Sequence, residues 1–105
     1  MGQLDEAAAR YDAAFKIDLT NVDILRDLGR LCLRNGDLSR AQKTFRALLL
    51  QKLTPSSGIT KAEVYFHLGE ISFKGGDKVK AKSMLQRAVS EAGKYPEATA
   101  LLEQL

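Results

Sequence analysis

One pattern of residues occurs twice in this chain at a fixed interval of 40 positions. Its first copy consists of Leu28-Gly29, Asn35-Gly36-Asp37, Ala41 and Phe45. Its second copy consists of Leu68-Gly69, Gly75-Gly76-Asp77, Ala81 and Leu85. A repeat of this length with helical periodicity is typical of stacked helix pairs. A partial third copy opens the chain and matches the second half of the unit, so we expect the chain to begin within a repeat.

The spacing of apolar residues predicts six helices and no strand, because apolar side chains recur every three or four positions. Asn35-Gly36 and Gly75-Gly76 are predicted to end two of these helices. Asp37 and Asp77 are predicted to cap the helices that follow. The predicted helices are 4–17, 22–34, 38–52, 61–74, 78–92 and 96–105.

Turn-forming residues follow one another at Thr54-Pro55-Ser56-Ser57-Gly58 and predict a loop between the third and fourth helices. Thr60 and Glu63 have the spacing of a capping box at the start of the next helix.

The composition indicates a globular protein, since hydrophobic residues make up 45% and charged residues 28% of the chain. No apolar run approaches the roughly 18 residues that a membrane-spanning helix needs. No leader peptide is visible. A single cysteine, Cys32, excludes an internal disulfide and favours a reducing compartment. We therefore expect a cytoplasmic protein that does not contact a membrane.

The repeated pattern resembles the tetratricopeptide repeat, whose unit is two antiparallel helices in about 34 residues. The matching positions are Gly29, Ala41 and Phe45; Gly69, Ala81 and Ala88; and Ala7, Tyr11 and Ala14. The resemblance implies an all-α solenoid of about two and a half helix-pair repeats with six antiparallel helices. The interval of 40 exceeds the family's unit by about six residues, and we expect the loop 55–58 to absorb the excess.

The expected organisation is a single tetratricopeptide-repeat domain over residues 1–105. Its expected parts are a half repeat at 2–21, a repeat at 22–53, a loop at 54–60, a repeat at 61–94 and a capping helix at 96–105.

Three arginines recur at four-residue steps on one face of helix 22–34, on the side opposite Leu25 and Cys32. They are Arg26, Arg30 and Arg34. The family resemblance implies that the first helix of each pair lines a concave groove. Guanidinium groups placed there would bind carboxylates of an acidic peptide. The alternative is a solvated face on which the arginines pair with neighbouring aspartates.

The corresponding face of helix 61–74 is charged, with Phe66 and Phe73 at its edge. Its charged or titratable residues are Glu63, His67, Glu70 and Lys74. The two rings are either an apolar anchor for a bound peptide or ordinary packing against the preceding helix pair. The predicted partner-binding residues are therefore Arg26, Arg30, Arg34, Phe66, Glu70, Phe73 and Lys74.

Catalytic chemistry finds little support in the sequence. His67 is the only histidine and Cys32 lies on a different helix, so we expect no metal site. The run Gly75-Gly76-Asp77-Lys78 lacks the spacing of a phosphate-binding loop. We expect no catalytic residue, no cofactor and no enzymatic activity.

The first predicted helix has no partner helix before it, so its apolar face is expected to be partly exposed. That face carries Leu4, Ala8, Tyr11 and Phe15. Two explanations compete: the chain is an excised piece of a longer array, or the exposed face forms a homodimer. We favour the excised piece and expect the isolated chain to self-associate through this face in either case.

The sequence as a whole predicts a non-catalytic scaffold that binds a peptide segment of a partner protein in a concave groove. Two alternatives stay open. One is a nucleic-acid-binding array that uses the basic middle of the chain, residues 22–53, whose charges sum to +4. Helix 22–34, however, has none of the interleaved aromatic residues that stack on bases. The other is a purely structural spacer.

Overall fold

The computed structural model describes residues 21–105, which form five α-helices and one short 3-10 turn. The elements are α1 (Val22–Asn35), α2 (Leu38–Leu49), a 3-10 turn (Pro55–Ser57), α3 (Lys61–Lys74), α4 (Lys78–Ala92) and α5 (Pro96–Leu102). The described residues contain no strand, and the all-α prediction is confirmed. The predicted helix 4–17 lies outside the described residues.

Two helices are shorter than the sequence predicts, because their last turns tighten. Helix 38–52 was expected to reach residue 52, but α2 ends at Leu49. Beyond it, Leu50 and Gln51 donate to carbonyls three residues back instead of four. The Leu50 side chain is 84% exposed, so continuing the helix would bury nothing there. The last helix ends at Leu102 instead of 105, with the same three-residue bonds from Gln104 and Leu105.

The chain divides into two compact units, residues 1–58 and 59–105, and the boundary falls within the predicted loop 54–60. In the first unit α1 packs against α2. In the second unit α3 packs against α4, and α4 packs against α5. The predicted arrangement as one domain with a half repeat at 2–21 stays a prediction.

Side-chain caps begin four of the helices, each by accepting a hydrogen bond from the backbone N–H three residues later. The capping residues are Asn21, Asp37, Thr60 and Asp77, with distances of 3.0, 3.2, 3.1 and 3.0 Å. The two predicted aspartate caps are confirmed. None of the described helices is both long enough and apolar enough to cross a membrane.

The turn inside each helix pair is built in the same way in both units. Gly36 and Gly76 have φ of 79° and 86°, a left-handed conformation that glycine adopts without steric cost. The backbone N–H of the following aspartate donates across the turn to the carbonyl oxygen of Cys32 in the first unit and of Ser72 in the second, over 2.9 Å in both. The repeated sequence therefore encodes a repeated helix-turn-helix.

A glycine in the first helix of each pair receives a large side chain from the second helix. A Cβ at Gly29 would lie 2.8 Å from Cζ of Phe45, and a Cβ at Gly69 would lie 2.7 Å from Cδ2 of Leu85. Phe45 and Leu85 are both fully buried. Real Cβ atoms essentially never approach another heavy atom so closely, so any larger residue at this position would force the facing side chain to move.

We expect Gly29→Ala to lower the free energy of unfolding. Alanine improves helix propensity by about 1 kcal/mol, but overpacking a buried ring costs about 1–3 kcal/mol, so the net loss should be at most about 2 kcal/mol. Chemical denaturation measures this loss. The matched control is Ser39→Ala at an exposed position of α2, which should have little effect.

A double-mutant cycle with Phe45→Ala tests the mechanism. The smaller side chain at position 45 should relieve the clash. The free energy of unfolding of the double variant should therefore fall by less than the sum of the decreases in the two single variants. Strict additivity would show that Gly29 is not needed for the contact with Phe45.

Candidate functional site

The three arginines of α1 lie on the side of the helix away from its buried residues. Leu25, Leu28 and Cys32 are completely buried. Arg34 is exposed, whereas Arg26 and Arg30 are half-buried. The two half-buried arginines owe their lower exposure to contacts that the sequence did not reveal.

Arg26 connects α1 to the segment 54–58. Its Nη1 donates to the carbonyl oxygen of Ser57 over 2.8 Å. The same nitrogen lies 3.1 Å from Oδ1 of Asp23, and Nε lies 3.1 Å from Oδ1 of Asp27. The hydrogen bond to Asp27 and the charges of both aspartates outweigh the opposing effect of burial and raise the pKa of Arg26 above its ordinary value.

Arg30 makes the second contact with the same segment. Its Nη2 donates to the carbonyl oxygen of Gly58 over 2.9 Å. Two arginines one helical turn apart thus hold two consecutive carbonyl groups, and we call Arg26, Arg30 and these two carbonyls the arginine clamp. The aspartate pairing weighed in the sequence analysis is present at Arg26, together with these longer-range bonds.

Gly58 fits the clamp because it has no side chain. Its φ is 72°, and a Cβ there would lie 2.8 Å from Nη1 of Arg26. Any other residue would both strain the backbone and displace the guanidinium group.

The segment 54–58 also holds its own shape. The Thr54 N–H donates to Oγ of Ser57 over 2.9 Å, and the Ser57 N–H donates back to the Thr54 carbonyl over 2.9 Å. Ser57 is buried, whereas Thr54, Pro55, Ser56 and Gly58 are exposed. The segment is therefore a self-contained turn that meets α1 through its backbone carbonyls.

A shallow pocket of about 350 Å³ lies on the same face of α1, toward the C-terminal end of the helix. It is lined by Asp27, Arg30, Leu31 and Arg34. Guanidinium groups on its wall suit a carboxylate, and Leu31 offers an apolar contact beside them.

The charged face of α3 centres on His67, which lies between two carboxylates. Nδ1 of His67 is 2.9 Å from Oε1 of Glu70, and Nε2 is 3.2 Å from Oε2 of Glu63. A neutral imidazole donates to only one of them, and a protonated ring donates to both. Glu70, which the sequence marked as a partner contact, therefore already has a partner on its own helix.

Phe66 packs inside the second unit. Its ring stacks on Tyr95 at a centroid distance of 5.1 Å and an angle of 24°. Both rings border an apolar cluster formed by Leu85, Ala88 and Ala98. The sequence left open whether Phe66 packs or anchors a peptide, and here it packs against the residue just before α5. Phe73 is half-buried and Lys74 is exposed.

Tyr95 is a residue that the sequence analysis did not single out. Burial, followed by the negative charges of Glu63, Glu97 and Glu70, raises the pKa of its phenol above the ordinary value. Its position directly before Pro96, at the start of a predicted helix, was the signal available in the sequence.

Within residues 21–105 no group of three or more histidine, cysteine, aspartate or glutamate side chains is placed to hold a metal ion. The residues expected to mediate self-association, Leu4, Ala8, Tyr11 and Phe15, lie outside the described residues. Self-association through them stays a prediction.

Two family models match the chain, both described as tetratricopeptide repeat: one covers residues 1–56 and the other residues 63–94. Among solved structures, the crystal structure of MamA is similar, with 29% sequence identity and a TM-score of 0.78. That match covers 96% of this chain and 56% of the MamA chain, so this chain spans a little over half of that protein's length. A search of curated proteins finds no match.

We expect Arg26→Ala to lower the melting temperature and Arg34→Ala to leave it nearly unchanged. Removing Arg26 deprives the Ser57 carbonyl and two aspartates of a donor, whereas Arg34 is exposed. Thermal unfolding of the two variants beside the parent protein measures the difference. Equal melting temperatures for both variants would mean that the clamp does not stabilise the first unit.

We expect the protein to lose stability as the pH rises above about 10, the ordinary tyrosine value. A phenol whose pKa is raised on folding keeps its proton longer in the folded state than in the unfolded state. Its stabilising contribution is complete below the unfolded pKa and is lost as the pH passes through the folded one. Tyr95→Phe should reduce this alkaline loss in denaturation experiments at pH 8 to 11. An identical pH dependence in the parent protein and the variant would contradict this account.

Proposed function

Because this chain belongs to the tetratricopeptide repeat family, we propose that it is a non-catalytic module that binds an acidic segment of a partner protein. Proteins of this family generally mediate protein–protein interaction. The observation that carries the proposal is the pocket on α1, where Arg30 and Arg34 flank a space large enough for an acidic side chain.

The chemistry of the α1 face supports an acidic ligand. A guanidinium group offers two parallel N–H donors that match a carboxylate, and such charge-assisted bonds are about twice as strong as neutral ones. Arg34 is exposed and needs little desolvation before it binds. Asp27 lines the same pocket, so its negative charge directs a bound carboxylate toward Arg34.

The face of α3 is proposed as a second, separate contact surface. Phe73 and Lys74 supply most of it, because Phe66 stacks on Tyr95 and Glu70 is bonded to His67. Each surface belongs to its own unit and is tested by itself. The predicted concave groove stays a prediction.

We expect a glutamate-rich peptide to bind the chain, and Arg34→Glu to weaken that binding at least about tenfold, equivalent to about 1.4 kcal/mol. Fluorescence anisotropy with a labelled peptide measures the affinity. The matched control is Lys43→Glu, which makes the same charge change at an exposed position of α2.

A lysine-rich peptide and a single-stranded DNA of equal length complete the experiment. An equal loss of affinity for Arg34→Glu and Lys43→Glu would show that only net charge matters and would refute the pocket. Tighter binding of DNA than of the acidic peptide would favour the nucleic-acid alternative. No binding of any ligand would favour the spacer.

A further inference from the structure

The arginine clamp already shows how the α1 face binds a stretch of polypeptide. Arg26 and Arg30 each hold one backbone oxygen of the segment 54–58, while Arg34, the next arginine along the helix, is exposed. We call Arg26, Arg30 and Arg34 the arginine ladder. The segment 54–58 occupies the first two of its three positions. The third position remains exposed to solvent.

We propose that the ladder binds an extended segment with carboxylates at alternate residues, and that this ligand displaces the 54–58 carbonyls from Arg26 and Arg30. The inference rests on the proposed function and names both its ligand and its regulation. The segment 54–58 is then an internal competitor for the site.

The spacing argument comes from helix and strand geometry. Four residues of an α-helix rise about 6 Å, which is the axial distance between successive arginines of the ladder. Two residues of an extended chain span about 6.6–6.8 Å and bring side chains back to the same side. Acidic residues at alternate positions of an extended ligand thus match the ladder, whereas neighbouring acidic residues point to opposite sides.

The competition follows from the strength of the two kinds of bond. Both kinds of bond have a charged guanidinium donor, but a carboxylate acceptor adds a full negative charge that the neutral Ser57 and Gly58 carbonyls lack. The turn at 54–58 keeps its own bonds between Thr54 and Ser57 when the clamp opens. When the turn is released, the protein therefore loses only the bonds from the two guanidinium groups and the burial of Ser57.

The exposure of the three arginines sets the order of binding. Arg34 is exposed, so the first carboxylate binds there. The second and third carboxylates then replace the carbonyls at Arg30 and Arg26. A ligand with one carboxylate consequently uses only the Arg34 end and leaves the clamp closed.

The test uses two peptides of identical composition, each with three glutamates and four serines. In one the glutamates alternate with serines, and in the other they are consecutive. We expect the alternating peptide to bind the parent chain more tightly. Its binding should also move the carbonyl ¹³C resonances of Ser57 and Gly58, because these carbonyls lose their guanidinium donors.

Two glycine variants test the competition directly. Gly58→Ala places a methyl group where Nη1 of Arg26 lies and should release the clamp, raising the affinity for the alternating peptide about threefold to tenfold. Gly36→Ala is the matched control, since it has a similar positive φ of 79° in the same unit but no atom within 4 Å of the added carbon. Ser57→Ala removes the Thr54 N–H acceptor and loosens the turn without adding atoms, so it serves where Gly58→Ala folds poorly.

The outcomes separate this inference from the proposed function. Binding that depends on Arg34 but shows no preference for the alternating peptide, no carbonyl shift or no gain in the clamp variants would overturn the inference alone. If Gly58→Ala and Ser57→Ala, the two clamp variants, both bind the peptide more weakly than Gly36→Ala does, the inference is also overturned. The closed clamp would then be holding the arginines in position for the ligand. Failure of both peptides to bind any of the proteins would overturn the proposed function and the inference together.

Discussion

The close approach of two helices at a single glycine is the contact on which the architecture of each unit depends. At Gly29 the missing side chain leaves room for the Phe45 ring, and at Gly69 it leaves room for Leu85. The contact fixes which side of the first helix faces its partner, and so it also fixes which side remains for charged residues. The surface chemistry of α1 is thus a consequence of a steric constraint in the core.

The extra length of the repeat places an irregular segment, 54–58, between the two helix pairs. The backbone groups of this segment need hydrogen-bond partners. Backbone carbonyls in an irregular segment need hydrogen-bond donors, and a buried carbonyl without one is costly. Arg26 provides a donor for the carbonyl of buried Ser57, and Arg30 provides one for the carbonyl of exposed Gly58. The same side chains carry the charge that an acidic ligand would use, so the proposed binding of such a ligand would draw on the groups that also hold the loop.

Local features of the chain were predictable, and contacts between distant residues were not. Apolar spacing, caps and left-handed glycines act within a few residues, which is why the helix starts and the Asp37 and Asp77 caps agree with the structure. The clamp joins residues 28 and 31 positions apart, and the Phe66–Tyr95 stack joins α3 to the residue before α5. Periodicity cannot reveal such pairs, because it assigns a residue to a face and leaves its partner unspecified.

The two units use the same internal positions but different surface positions. The buried positions are apolar in both units. Leu28, Ala41 and Phe45 are buried in the first, and the residues 40 positions later, Leu68, Ala81 and Leu85, are buried in the second.

The surface set does not repeat. The positions of Arg26, Arg30 and Arg34 correspond at the same interval to Phe66, Glu70 and Lys74. One of the three replacements stacks inside its unit and one binds a histidine. Core packing constrains volume, and it leaves the charge of the outer face unrestricted. The helix pair can therefore be repeated as a scaffold while the charged face of its first helix changes, and here the three arginines of α1 have no arginine counterpart at the matching positions of α3.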